Sequence, residues 1–171
     1  IIPRGMAALG YTLKLPTEDR FLMDEAELRG EIATLLGGRA AEEIIFNSIT
    51  TGASNDLQRA TDLAERMVTS YGMSKVLGPL AYDKSQQSFL GNNEMMNPRR
   101  MVSDETAQAI DQEVKDIVES AHQQALHILQ QNRELLETIS MKLLDTEVIE
   151  GDNLHELLGK VQPLDKSPVH V

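Results

Sequence analysis

The residue of this chain best placed to do chemistry is an acid, Asp56, at the start of a predicted helix. It follows a polar turn at residues 50–55, and beyond it apolar residues recur at steps of three and four, which places them on one helical face. Ser54 or Asn55 can cap the first turn, where unpaired backbone N–H groups stabilise an ionised carboxylate. Asp56 is therefore either an ordinary helix-terminal acid, which the spacing alone favours, or a preorganised anionic ligand for a partner outside the helix.

Other kinds of catalytic site find less support in the sequence. His122 and His127 are five residues apart, so they point about 140° away from each other on an ideal helix. They cannot form the i,i+4 histidine pair of a zinc-binding helix, and both are most simply surface or boundary residues. The sequence contains neither the G-x-S-x-G motif of serine hydrolases nor the glycine-rich loop that binds nucleotide phosphates.

Composition restricts the fold and the partners. The 171 residues are 41% apolar but only 4% aromatic, which is typical of one helical domain with an aliphatic core. The absence of cysteine excludes disulfides and Cys-ligated zinc. The net charge of −11 argues against nucleic acid and anionic lipid as partners. No apolar run approaches the ~18–20 residues that span a bilayer, and no signal peptide is expected ahead of the domain.

Two helices are predicted around the acid. The first covers residues 24–46 and begins with Asp24 and Glu27 in a capping arrangement. The second covers residues 53–71 and ends before Gly72. The connection between them contains the turn that leads to Asp56.

The first helix has two notable features. Gly37 and Gly38 lie in its middle, where each glycine costs about 1 kcal/mol relative to alanine, so we expect a neighbouring backbone to pack closely there. Arg39 and Glu43 are four residues apart, and a surface ion pair explains them adequately.

The rest of the chain is predicted as mainly helical with a small β element. Residues 1–16 read as a strand or hairpin, and residues 75–101 as an irregular loop with a possible short hairpin. Residues 103–158 contain the C-terminal helices, with Ser103 as a cap, and the two longer ones are expected to form an antiparallel αα-hairpin. Residues 161–171 are predicted to be a flexible tail.

Seven short motifs occur in order along the chain. They are IIPRG at 1–5, LGYT at 9–12, LGGRAAEEI at 36–44, TTGASNDL at 50–57, YGMS at 71–74, LGPL at 77–80 and SDET at 103–106. Together they resemble the peptidase domain of the FtsH family, the membrane-anchored ATP-dependent zinc metalloproteases, up to about residue 158. The resemblance implies that Asp56 is the third zinc ligand and that Glu42 orients a zinc-bound histidine.

The strand at the start has two interpretations. Gly10 precedes an alternating stretch in which Tyr11 and Leu13 face one side and Thr12 and Lys14 face the other. An ordinary half-buried hairpin strand accounts for this pattern. The resemblance implies instead that these five residues form an active-site edge strand to which an extended substrate is added.

The chain departs from the family pattern at one decisive place. The family's other two zinc ligands and its general base come from an H-E-x-x-H helix, and this sequence contains no such motif. The chain opens on Ile1 without an initiator methionine, so we expect that helix to lie upstream in a longer protein, with residues 1–160 forming part of the peptidase domain.

The resemblance also implies the setting of the whole protein. It would be a homohexameric protease at the cytoplasmic face of the plasma membrane that degrades unneeded or damaged membrane and soluble proteins. Zn²⁺ would be its cofactor here, and ATP would bind a separate module. The alternative is a non-catalytic helical module that holds subunits together.

Overall fold

The computed structural model describes residues 22–82 and 102–163. The predicted strand at 1–16, including the proposed substrate edge at 10–14, lies outside these residues, as do most of the predicted loop and the last residues of the tail. Within the described ranges the chain forms α-helices and one isolated β-bridge, between Ser74 and Gly78, which confirms the mainly helical fold class. The helices are α1 (Glu25–Phe46), α2 (Ser54–Thr69), α3 (Asp104–Gln131), α4 (Arg133–Thr146) and α5 (Gly151–Leu158).

Helix α1 begins as its sequence predicts. The backbone N–H of Glu27 donates to the Asp24 carboxylate at 2.8 Å, and the N–H of Asp24 donates to the Glu27 carboxylate at 3.0 Å. This reciprocal capping box satisfies two N–H groups that a helix start otherwise leaves unpaired. The expected close neighbour of Gly37 and Gly38 is not found among the described residues, none of which lies within 4 Å of a methyl group added at either glycine.

Helix α2 begins differently from the prediction. A short 3₁₀ turn, Thr51–Ala53, runs directly into it, so Ser54 and Asn55 already lie inside the helix instead of capping it. The capping side chain is that of Thr50, whose hydroxyl accepts the N–H of Gly52 at 3.1 Å ahead of the 3₁₀ turn. Because the 3₁₀ turn leads directly into α2, no described side chain caps the first turn of α2 itself.

The C-terminal end of α2 uses the predicted glycine. The helix ends at Thr69, and Gly72 follows with a φ of +63°, a conformation in which a side chain is strained. Helix α3 also starts as predicted, because the Ser103 hydroxyl accepts the N–H of Thr106 at 3.2 Å.

The chain divides into two compact units, and the larger covers residues 23–126. Its core is formed by α1, α2 and the N-terminal part of α3. Burial of each large aliphatic side chain stabilises such a core by about 1.5–3 kcal/mol. Helix α2, which carries Asp56, is therefore fixed along its apolar face. The buried core residues are Leu28, Ile32, Ala33, Leu36, Ala60, Leu63, Ala64, Met67, Val68, Ile110, Val114, Ile117 and Ala121.

The smaller unit contains the end of α3 together with α4 and α5. Its buried side chains include Ile149 and Leu157, whereas α4 buries none of its residues. The Asn132 side chain donates to the carbonyl of Gln162 at 3.0 Å and accepts its N–H at 2.8 Å, which ties the helix junction to the chain after α5. The αα-hairpin stays a prediction. None of the described helices is long and apolar enough to cross a membrane.

Candidate functional site

Asp56 lies in the first turn of α2, with its carboxylate open to solvent on one side. Its side chain is 48% exposed. The Arg59 guanidinium approaches the carboxylate to 3.7 Å, an exposed i,i+3 ion pair of the kind that contributes little to stability. The N-terminal position favours a negative charge, and the exposure leaves the carboxylate accessible to a partner outside the helix.

The residue ahead of the 3₁₀ turn, Thr50, is bound by a carboxylate of α1. Its hydroxyl donates to one oxygen of Glu42 at 2.5 Å, and its backbone N–H donates to the other at 3.0 Å. Hydrogen bonds to a charged acceptor are the stronger kind. Glu42, which the resemblance assigns to a histidine, therefore uses both of its oxygens on the turn that leads to Asp56, and its role toward a histidine stays a prediction.

The same threonine is bound from α1 by a cation. Nη1 of Arg39 donates to the Thr50 carbonyl at 3.3 Å. Glu42 and Arg39 together thus satisfy the backbone N–H, the backbone carbonyl and the hydroxyl of one residue. Gly52 packs beside this residue, because a methyl group added there would lie 3.2 Å from the Thr50 hydroxyl oxygen and 3.7 Å from a Glu42 oxygen.

The hydrogen bonds also change the acidity of Glu42. The Thr50 hydroxyl lowers the pKa of the Glu42 carboxyl below its ordinary value, the Thr50 N–H lowers it further, and the charge of Arg39 adds a smaller effect in the same direction. Each of these contacts stabilises the ionised form. Glu42 is therefore a carboxylate at neutral pH.

Arg39 takes part in a second contact that extends to α3. Its Nε lies 3.2 Å from the Glu43 carboxylate, which confirms the predicted i,i+4 pair. The same Glu43 oxygen is 3.4 Å from Nε2 of His122, a buried atom without a hydrogen-bond partner among the described residues. Tertiary packing creates this contact, and no local sequence pattern predicts it. His127 is exposed on the same helix, so the two histidines match the predicted boundary and surface positions.

These residues border a groove between α1, α2 and α3. Its volume is about 500 Å³. The lining combines apolar side chains with charged ones, and it includes Leu57, the neighbour of Asp56 in the chain. The lining residues are Leu36, Arg39, Glu43, Leu57, Thr61, Asp111, Val114, Lys115, Val118, Glu119 and His122.

The donor chemistry of Asp56 suits zinc, for which carboxylate oxygen is an ordinary ligand. Across residues 22–82 and 102–163, however, no group of three His, Cys, Asp or Glu residues is arranged to hold a metal ion. The described residues can therefore contribute one ligand to a zinc site and do not form that site alone.

Two of the predicted site residues lie on either side of one short connection, with Glu42 on α1 bound to Thr50 and Asp56 in the first turn of α2. Sequence reasoning missed Thr50 as their link. The signal was present in the Thr-x-Gly order of residues 50–52, since a threonine hydroxyl commonly accepts the N–H two residues ahead. Its binding by Glu42 and Arg39 depends on the path of α1 and was not readable locally.

Comparison with known proteins gives a consistent result. Residues 1–157 match peptidase family M41. The chain is 74% identical over 163 residues to an ATP-dependent zinc metalloprotease FtsH 4 of Synechocystis, covering 95% of this chain and 26% of that protein. It is 58% identical over 162 residues to the ATP-dependent zinc metalloprotease FtsH of Acaryochloris marina, covering 95% of this chain and 24% of the relative. The FtsH of Thermotoga maritima is 48% identical over 161 residues, covering 94% and 26%. The chain thus spans about a quarter of the length of these relatives.

Proposed function

The chain belongs to peptidase family M41, and from this membership we propose that it forms part of the proteolytic domain of an ATP-dependent zinc metalloprotease. The reaction is hydrolysis of peptide bonds by a metal-activated water. Asp56 serves as one zinc ligand, and two histidines and a glutamate base come from an H-E-x-x-H helix upstream of Ile1.

The observation that carries this proposal is the position of Asp56. The carboxylate lies within the TTGASND sequence at the exposed N-terminal end of a helix whose other face is buried. The turn before it is held by Glu42 and Arg39 through Thr50. A ligand held in this way loses little conformational freedom when it binds a metal.

The roles of the described residues follow from their contacts. Asp56 supplies a charged oxygen ligand, while Glu42 remains ionised and orients the turn. Zinc, when bound, lowers the pKa of a coordinated water to about 7 and so makes a nucleophile available at neutral pH. Gly10, Tyr11, Thr12, Leu13 and Lys14 are proposed to present an edge strand to an extended substrate.

The setting of the whole protein is proposed from its relatives' names and the family resemblance. The substrates are unneeded or damaged membrane and soluble proteins, delivered to the peptidase by a separate ATPase module. The protein works as a homohexamer at the cytoplasmic face of the inner membrane, and the described segment makes no membrane contact of its own.

The test is degradation of an unfolded protein substrate by the purified full-length gene product with ATP and zinc. We expect Asp56→Ala to abolish proteolysis while ATP hydrolysis continues. The matched control is Asp104→Ala, which removes another first-turn acid, at the start of α3. It is expected to leave proteolysis unchanged.

Two results would count against the proposal. Equal proteolysis by wild type and Asp56→Ala would remove Asp56 from the mechanism. A wild-type protein that forms oligomers but neither binds zinc nor cuts substrate would support the non-catalytic helical module instead.

A further inference from the structure

We propose that Arg39 is a positioning residue for the zinc site, and that it acts by fixing the Thr50 carbonyl at the entry to the turn that carries Asp56. The inference rests on the proposed role of Asp56 as a zinc ligand. The ion pair with Glu43 alone would give Arg39 no function beyond a contact within α1.

Glu42 and Arg39 bind different groups of Thr50. Glu42 accepts hydrogen bonds and can therefore bind only the N–H and the hydroxyl of this residue. As the N-cap of the 3₁₀ turn, Thr50 also has a carbonyl that accepts the first hydrogen bond of that turn. A carbonyl oxygen has a second lone pair, and Nη1 of Arg39 donates to it at 3.3 Å. The Arg39 contact therefore adds a side-chain restraint to the peptide plane that follows Thr50.

Arg39 is itself held in place by Glu43. Its Nε lies 3.2 Å from the Glu43 carboxylate, and its side chain is only 20% exposed. A guanidinium has several donors in one rigid plane, so binding at Nε orients Nη1 toward the carbonyl. A lysine at this position would have the charge but not this geometry.

Thr50 is connected to Asp56 by a short segment. The 3₁₀ turn Thr51–Ala53 is short, and its last residue, Ala53, is buried with only 7% of its surface exposed. Asp56 comes three residues later, within the first turn of α2. Because the 3₁₀ turn continues directly into α2, a rotation at the Thr50 carbonyl changes the direction in which the first turn of α2 presents its carboxylate.

The experiment measures zinc affinity of the full-length protein by competition with a chelator, together with amide hydrogen exchange over residues 50–56. We expect Arg39→Met to weaken zinc binding about tenfold, the lower end of the effect of removing a partner that orients a metal ligand. Exchange over these residues should become faster. The matched control is Arg29→Met, on the same helix, which removes an i,i+4 pair with Glu25 at 2.8 Å and is expected to change neither quantity.

Further variants separate the inference from its premise. If Asp56→Ala loses zinc affinity and Arg39→Met keeps wild-type affinity, the inference is overturned and the proposed function stands. If Asp56→Ala binds zinc as the wild type does, both are overturned. Should Arg39→Met fail to fold, Arg39→Lys decides: weaker zinc binding in a folded protein supports the inference, and unchanged affinity overturns it.

Discussion

The C-terminal end of α2 runs into a segment that packs on the helical core, whereas its N-terminal end follows a turn that lies at the surface. After the helix, the N–H of Met73 donates to the Met67 carbonyl at 3.0 Å, and the N–H of Tyr82 donates to the Thr69 carbonyl at 2.7 Å. The buried Ser74 hydroxyl adds a 2.6 Å hydrogen bond to the carboxylate of Glu113 on α3.

The N-terminal end is held almost entirely by side chains of α1. All three residues of the turn at 50–52 are exposed, and hydrogen bonds that link Thr50 with Glu42 and Arg39 hold the conformation of the turn. Of residues 47–53, Ala53 alone is buried.

The two ends of α2 therefore have different roles, one in the stability of the fold and the other in the orientation of the Asp56 carboxylate. Packing and buried hydrogen bonds at one end fix where α2 lies, and exposed polar contacts at the other end fix how its first carboxylate is presented. Substitutions at the C-terminal end should therefore change the free energy of unfolding and leave zinc affinity per folded molecule unchanged. Those at the N-terminal end should act mainly on zinc affinity, with a smaller effect on the free energy of unfolding.

The largest effect on stability is expected for Gly72→Ala. Its φ of +63° disfavours a side chain by about 1–2 kcal/mol, and the added methyl would lie 3.1 Å from Cα of Pro79, so crowding brings the expected loss to about 3 kcal/mol. The control is Gly78→Ala, whose φ of +75° is similar but where no described atom lies within 4 Å. Urea unfolding measures both. Equal losses in the two variants would show that the contact with Pro79 carries no cost.

The next largest loss is expected for Ser74→Ala, at about 2 kcal/mol. It removes a hydroxyl that donates to Glu113 and accepts the N–H of Leu77 at 3.0 Å, which leaves a charged group and a backbone donor without their partner. Ser140→Ala is the control, because its exposed hydroxyl bonds only within α4. A loss of zinc affinity in folded Ser74→Ala would break the proposed separation of the two ends.

At the other end, Thr50→Ala should cost about 1 kcal/mol, the usual price of a helix cap, because it removes the hydroxyl that binds Glu42 and Gly52. Its larger expected effect is on zinc affinity, whereas Thr50→Ser should retain both properties. Thr34→Ala, which removes an exposed hydroxyl bonded to the Gly30 carbonyl, is the control on α1. Unchanged zinc affinity in Thr50→Ala, measured by chelator competition, would contradict the account.

The smallest effect concerns pH. Because the pKa of Glu42 is lowered in the folded protein, its contribution to stability is present above the ordinary glutamate value of about 4.3 and is lost as pH falls through the lower folded value. The stability difference between wild type and Glu42→Gln should therefore shrink on acidification below that range.

Salt provides the control for this pH effect. The pKa of Glu156 is lowered mainly by a hydrogen bond from Lys160, with the lysine charge next, so added salt should weaken the pH effect of Glu156→Gln. The effect at Glu42 comes chiefly from uncharged Thr50 groups and should persist at high salt. A pH-independent difference for Glu42→Gln in urea unfolding would count against the Thr50 hydrogen bonds.

How far the sequence predicts this molecule depends on the range of the interactions involved. The Asp24–Glu27 box and the Ser103 cap are local, and both are found as predicted. The cap of α2 is the part predicted wrongly, because a 3₁₀ turn and a capping serine or asparagine leave similar sequence patterns.

The contacts that define the candidate site were beyond local reasoning. Glu42 reaches Thr50 because the chain turns back toward α1 after that helix ends at Phe46. Glu43 lies near His122 because α3 packs on α1. Asp56 itself was identified through its motif, since a lone acid in a first helical turn has an ordinary structural explanation.

Zinc content of the purified full-length protein shows whether Asp56 binds zinc. Wild type and Asp104→Ala should each carry about one zinc per chain, and Asp56→Ala should lose most of it while remaining folded. Full zinc occupancy in Asp56→Ala, with an affinity equal to that of the wild type, would contradict the claim and leave Asp56 as an ordinary helix-terminal acid.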